Sequence, residues 1–184
     1  MMKKWNKNNT RVYTFDCFTK EQIKEINKGI KKNIFGKESS LTAANHASKK
    51  GNFFHVSCSP LMGLLYPWLH ECQLINKTVF GYDTYWDFHI DTLNYNTYEK
   101  NGEYEWHIDA NESCEYDFKL TCLLNLSEEP YEGGDFYTIN QKEKHEFTSG
   151  MGLVFNSMVA HKITPVTKGE RITLTYWALG SSWK

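Results

Sequence analysis

Residues 152–179 read GLVFNSMVAHKITPVTKGERITLTYWAL. Three β-prone runs stand in this stretch, GLVFN, AHKITPV and RITLTYWAL, with turn residues such as Lys168-Gly169 between them. Arg171, Thr173, Thr175 and Trp177 alternate along the last run, so they share one face of a strand. The turn at Lys168-Gly169 brings His161 and Arg171 into one cavity. An inward arginine needs a partner, because an unpaired buried charge is very costly. Surface exposure or an internal salt bridge would satisfy it. So would a ligand carboxylate, which a guanidinium grips with two parallel hydrogen bonds.

The same rhythm extends backwards to about Gly81, through YWDFHIDTLNY, EYEWHID, FKLTCLLNL, GGDFYTI and HEFTS. Eight short strands at this spacing predict an antiparallel sandwich or jelly roll. Two helices are predicted in front of it. FTKEQIKEINKGIKK carries a capping box, Thr19 with Gln22, and a staple of Phe18 against Ile23. SPLMGLLYPWLHECQLIN begins with Ser59 as cap and Pro60 in the first turn, and Pro67 should kink or divide it. The fold class expected is mainly β with N-terminal helices (α+β). Residues 1–184 form a single domain in this reading, with 1–80 mostly helical support and 81–180 the β core.

Composition narrows the function classes. The 184 residues are 40% hydrophobic and 15% aromatic, which argues against disorder. No apolar run is long enough to span a bilayer, and MMKKWNKNNT lacks the apolar segment of a secretory signal. A soluble, cytoplasmic protein without membrane partners is expected. The five cysteines include no CxxC pair, which disfavours a disulfide framework or a cysteine-only zinc site. Residues 1–50 hold twelve Lys or Arg against four Asp or Glu, and the remainder nine against eighteen. With a net charge of −1, generic nucleic-acid binding is weakly supported.

The tripeptide His-Ile-Asp occurs twice, as His89-Ile90-Asp91 and His107-Ile108-Asp109. Asn101-Gly102 reads as a two-residue hairpin turn between the copies. A regular hairpin sets Lys100 opposite Glu103. His107 then opposes Asn96, Asp109 opposes Asn94, and Glu105 opposes Tyr98. His107, Asp109, Tyr98, Asn96 and Asn94 share a face, whereas His89 and Asp91 fall on the other. Trp106 and Tyr104 also project away by strict alternation. The second copy is followed by ANESC, a polar strand end open to substrate. His161 can return beside it, which gives two histidines and one carboxylate. That set leaves open positions and suits non-haem Fe(II) and oxygen chemistry, although the same ligands accept zinc.

YEKNGEYEWHID, LTCLLNLSEEPYEGGDFY and GLVFNSMVAHKITPVTKGERITLTYW together resemble the 2-oxoglutarate- and Fe(II)-dependent dioxygenases, nearest to the prolyl 4-hydroxylase-like branch. The resemblance covers roughly residues 88–179; FDCFTKEQIKEI is similar more loosely, and residues 36–80 match least. It implies a double-stranded β-helix, a distorted jelly roll. It implies Fe(II) on His107, Asp109 and His161, and 2-oxoglutarate held through its distal carboxylate by Arg171. Tyr98 matches a tyrosine that hydrogen-bonds the cosubstrate, Thr175 a hydroxyl beside the arginine, and Trp177 a tryptophan at the end of that strand. Asn125 stands where some relatives place a cosubstrate-binding tyrosine; it could donate to the cosubstrate or cap a strand end.

The activity implied is hydroxylation of an amino-acid side chain, free or in a peptide or protein, with proline the first candidate. It consumes O2 and 2-oxoglutarate and releases succinate and CO2, and it admits ascorbate as an additional cofactor. A full carboxylate at Asp109 disfavours halogenation. The alternatives are a non-enzymatic metal- or oxo-acid-binding jelly roll, a zinc hydrolase, and a nucleic-acid-directed oxygenase of the same class.

Overall fold

The computed structural model describes residues 6–7, 12–37, 49–86, 92–109, 116–139 and 142–182. The second half of the chain supplies most of the strands, and the first half supplies both helices and the remaining strands. In chain order the elements begin with β1 (Asn6–Lys7), β2 (Tyr13–Asp16), α1 (Lys20–Lys32), β3 (Ile34–Lys37), β4 (Lys49–Lys50) and β5 (Asn52–Ser57). There follow α2 (Met62–Ile75), β6 (Thr84–Tyr85), β7 (Thr92–Tyr98), β8 (Glu103–His107) and β9 (Tyr116–Asn125). The last are β10 (Glu132–Gly133), β11 (Phe136–Thr138), β12 (Met151–Asn156), β13 (His161–Ile163), β14 (Val166–Lys168) and β15 (Arg171–Ser181).

A nine-stranded sheet runs β1-β2-β12-β9-β15-β7-β5-β3, with β6 pairing β15 at the side. A smaller sheet runs β11-β13-β8-β4, and β10 pairs with β14. All the pairings are antiparallel. This is the jelly roll that the strand rhythm predicts, in the double-stranded β-helix form that the resemblance implies, backed by helices.

The period of two decides what each face of the large sheet does. Leu93 and Tyr95 of β7, Leu120, Cys122 and Leu124 of β9, and Leu174, Tyr176 and Ala178 of β15 all join one apolar core. Ile23, Ile26 and Ile30 of α1 and Leu65, Trp68, Leu69 and Cys72 of α2 cover it. Burying a side chain of this size contributes about 1.5–3 kcal/mol before the entropy of ordering it is subtracted. The residues between them face the small sheet. Leu123, Phe136, Phe155 and Ile163 form a second core there, beside the polar cavity described below.

Local signals account for most of the helical support. Thr19 accepts from the Gln22 N–H, and the Gln22 side chain accepts from the Thr19 N–H, so the capping box closes. The second helix departs from expectation at both points. Ser59–Leu61 forms a 3-10 turn without a side-chain cap, so α2 starts at Met62, and the helix continues through Pro67 to Ile75. A proline costs an interior helical hydrogen bond. Here Leu65, Trp68, Leu69 and Cys72 pack on the sheet from both sides of Pro67 and hold the helix together.

Three more expectations are corrected. Residues 1–80 contribute β2, β3 and β5 to the large sheet, so they are more than helical support. The HEFTS stretch, His145–Ser149, forms no strand; it is an irregular segment with His145 and Phe147 buried. The regular hairpin across Asn101-Gly102 does not exist. The turn closes as Gly102 N–H to Glu99 O, 2.7 Å, with Asn101 in the left-handed region at φ 68°. Strand β7 already has β5 on one edge and β15 on the other, so no edge remains for β8. Strand β8 crosses to the small sheet and pairs with β13 and β4.

Among the described residues, no helix is long and apolar enough to cross a membrane. Cys58, Cys72 and Cys122 are buried in the core.

Candidate active site

The two sheets enclose a cavity of about 440 Å³, and both contribute to its wall. From the large sheet come Asn94, Asn96 and Tyr98 of β7, Thr121 of β9, and Arg171, Thr173, Thr175 and Trp177 of β15. From the small sheet come Tyr104, His107 and His161, with Asp109 just past the end of β8. The inner face expected for β7 is therefore present although its hairpin is not. Register explains the grouping. Arg171 opposes Tyr98, Thr173 opposes Asn96 and Thr175 opposes Asn94 across β15 and β7.

His107 and His161 face each other directly across β8 and β13. With Asp109 they place three potential ligand atoms within 4.8 Å of one another. Asp109 Oδ1 lies 3.7 Å from His107 Nε2, and Oδ2 lies 3.7 Å from His161 Nε2. Each imidazole is fixed from behind. His107 Nδ1 meets the Glu105 carbonyl at 2.7 Å, and His161 Nδ1 meets the Val159 carbonyl at 2.9 Å. A carbonyl only accepts, so Nδ1 carries the proton and Nε2 turns its lone pair inward. This is how protein groups commonly orient metal-binding histidines. Burial, reinforced by the neighbouring His161, pushes the His107 pKa down to about 4 against the pull of Asp109. His107 is thus neutral, the form a metal requires. The donor set, two imidazoles and one carboxylate, fits Fe(II).

Arg171 is fully buried. Its Nη1 reaches Thr173 Oγ1 at a long 3.4 Å, while Nε and Nη2 have no partner among the described residues. No carboxylate of the described residues pairs with it. Its planar group lies near the Tyr98 ring, 5.4 Å from the centroid, and the Phe147 ring, 5.8 Å. The backbone just past β10 passes close by at Gly134, φ 61°, where a Cβ would come within 2.9 Å of Arg171 Cδ. A buried cation with two idle donors on a cavity wall fits a ligand carboxylate. Asn96 Nδ2 donates to Thr175 Oγ1 at 3.0 Å, which leaves the Thr175 hydroxyl hydrogen free to point elsewhere. The Trp177 indole N–H is also buried without a partner among the described residues.

Two sequence expectations change here. Asn125 does not line the cavity. Its Nδ2 donates to Tyr131 Oη and to the Phe147 carbonyl, and its Oδ1 accepts from Ser127 N–H. Both amide hydrogens are thus committed to the protein. Tyr104 faces the site rather than away, because the β8–β13 register shifts between its two paired positions. Its ring stacks on His107 with centroids 3.5 Å apart. Trp106 does project outward and is exposed. His89 and Asp91, the other His-Ile-Asp, lie outside the described residues. Lys49 and His55, also on the cavity wall, were not anticipated; both belong to the stretch preceding the recognisable β pattern.

Comparison with known proteins agrees with this geometry. Residues 93–179 match the 2OG-Fe(II) oxygenase superfamily. The match spans 87 of the 184 residues, just under half of the chain. A PKHD-type hydroxylase of Aliarcobacter butzleri is 28% identical over 186 aligned positions, covering 92% of this chain and 79% of the relative. One from Alteromonas mediterranea is 32% identical over 93, covering 45% of this chain and 41% of its own length. Among solved structures, the viral collagen prolyl hydroxylase of Paramecium bursaria Chlorella virus-1, in complex with 2OG, superposes with a TM-score of 0.70. It is 16% identical, and the match covers 94% of this chain and 97% of that one. The chain shares the fold of that prolyl hydroxylase, and its similarity to the 2OG-Fe(II) oxygenases and PKHD-type hydroxylases favours an enzyme over a binding module.

Proposed function

We infer that this 2-oxoglutarate-dependent hydroxylase modifies an amino-acid side chain, free or within a peptide or protein, with proline the first candidate. One observation carries the reading. Three metal-competent side chains and a buried arginine with idle donors converge on a single cavity. His107, Asp109 and His161 would hold Fe(II), and Arg171 would bind the distal carboxylate of 2-oxoglutarate. When bound, the iron supplies oxygen activation, so that substrate, O2 and 2-oxoglutarate give hydroxylated product, succinate and CO2.

The chain's own residues have distinct tasks. The Glu105 and Val159 carbonyls hold each imidazole with Nε2 inward. Arg171 fixes the cosubstrate's far end, with Thr173 and the Tyr98 ring setting the guanidinium plane. The Thr175 hydroxyl, accepting from Asn96, can donate to the same carboxylate. Leu123, Phe136 and Ile163 exclude water from one side of the cavity. Ascorbate as an additional cofactor and a cytoplasmic location belong to the same proposal.

The test is succinate release with Fe(II), 2-oxoglutarate and oxygen, screened over prolyl peptides and free amino acids. His107→Ala and Asp109→Ala should each abolish turnover. Absence of succinate from wild type, together with absence of anaerobic 2-oxoglutarate binding with Mn(II), would overturn the proposal.

A further inference from the structure

Asp109 lies beyond the last residue of β8, so the strand ladder does not hold it. Something else must, because the terminal torsion of an aspartate is broad. Two buried hydroxyls from outside its own strand do so. Thr121 of β9 donates to Asp109 Oδ2 at 2.6 Å. With its hydrogen spent there, Thr121 Oγ1 accepts from Ser157 Oγ at 3.0 Å. Ser157 also takes the Asp109 N–H on its backbone carbonyl, 3.0 Å, and donates its own N–H to Lys119 O, 3.2 Å. Thr121 is 1% exposed and Ser157 0% exposed. Across the ladder Thr121 opposes Trp177 of β15, well inside the large sheet.

We infer that Thr121 is a positioning residue for the carboxylate of the triad, oriented in turn by Ser157. The chain runs Ser157 to Thr121 to Asp109. A hydroxyl donating to a carboxylate makes a charge-assisted bond, stronger than one between neutral groups. A second hydroxyl donating to the first polarises it further. The carboxylate is thereby held between the two imidazoles, with Oδ2 partly occupied and Oδ1 left to the metal. The tie also links the layers, since Thr121 belongs to the large sheet and the histidines to the small one.

This inference rests on reading the triad as a metal site, and the experiment separates the two. Metal-free protein is titrated with Mn(II) in the presence of 2-oxoglutarate, and binding is followed by calorimetry and electron paramagnetic resonance. Loss of such an orienting partner typically weakens metal binding about 10–100-fold, which is the loss expected for Thr121→Val. Thr121→Ser should restore binding to near wild type, because it returns the hydroxyl without the methyl. Ser157→Ala should weaken binding less than Thr121→Val. The double variant should be no weaker than Thr121→Val, because the Ser157 hydroxyl acts only through Thr121 and alanine keeps the Ser157 backbone carbonyl that holds the Asp109 N–H. Wild-type affinity in Thr121→Val, no rescue by Thr121→Ser, or additive loss in the double variant would each overturn the inference. If Thr121→Val fails to fold, Ser157→Ala decides, since it leaves both Thr121 and Asp109 in place; unchanged Mn(II) affinity then overturns it. Failure of the wild type to bind Mn(II) would instead overturn the metal reading itself.

Discussion

Replacing Arg171 by methionine should make the ligand-free protein more stable while removing its cosubstrate. The side chain is fully buried, and two of its guanidinium nitrogens have no partner among the described residues. Each such orphan costs about 1–3 kcal/mol. Water entering the cavity offsets part of this, so a gain of roughly 2 kcal/mol is expected when both donors are removed. Methionine keeps the aliphatic bulk and gives up the long bond to Thr173 and the guanidinium's distant contacts with the Tyr98 and Phe147 rings. For a chain of this length, about 2 kcal/mol corresponds to a rise of roughly 4–8 °C in Tm. Wild type should regain the difference from its ligand. At 2-oxoglutarate near 100 times Kd, binding contributes about 2.7 kcal/mol. Thermal unfolding with Mn(II), with and without 2-oxoglutarate, checks both halves. A lower Tm for R171M without ligand would mean that the arginine is a structural brace. An equal rise of both proteins on adding 2-oxoglutarate would mean that the anion binds elsewhere.

Two further predictions follow from groups outside the triad. Asn125→Ala removes three hydrogen bonds that tie together residues 125–131 and Phe147, so it should lower stability by about 2 kcal/mol or more. Measured by calorimetry, its 2-oxoglutarate Kd should change by less than about threefold; a large loss would return Asn125 to the cosubstrate site. Burial pushes the His145 pKa down from 6.5 to about 4. Between those values the unfolded chain takes up a proton that the folded one refuses. Stability from this group is therefore complete above pH 6.5 and falls by roughly 3 kcal/mol as pH drops to 4. Denaturant unfolding of wild type and His145→Gln across that range should show the wild-type advantage shrinking, and a constant difference would refute the account.

Legibility from sequence followed the range of the forces involved. Alternation along β15 is local, so the inward row Arg171, Thr173, Thr175 and Trp177 could be read directly. The capping box at Thr19 is local too. The pairing of β8 is not. A turn as strong as Asn101-Gly102 argues for a hairpin, but whether one forms depends on which strand edges are already occupied. Tyr104 was misplaced, and Asn125 left between two roles, for a related reason. A register shift in β8–β13 turns Tyr104 inward, while Tyr131 in the loop beyond β9 and Phe147 in the segment before β12 claim both amide hydrogens of Asn125. Thr121 and Ser157 carry no recognisable spacing, because residues 36 positions apart meet only once β9 and β12 are laid side by side.

The crossing of the chain at residues 99–102 has a mechanical consequence. The metal-competent imidazoles belong to one layer, and the arginine to the other. A dicarboxylic oxo acid seated between them is a strut, loaded at both ends. Its carbon chain must match the gap set by the side chains packed between the layers. In the proposed complex the two layers would act as a calliper, in which packing between them sets the length of cosubstrate that fits and the bound cosubstrate ties one layer to the other.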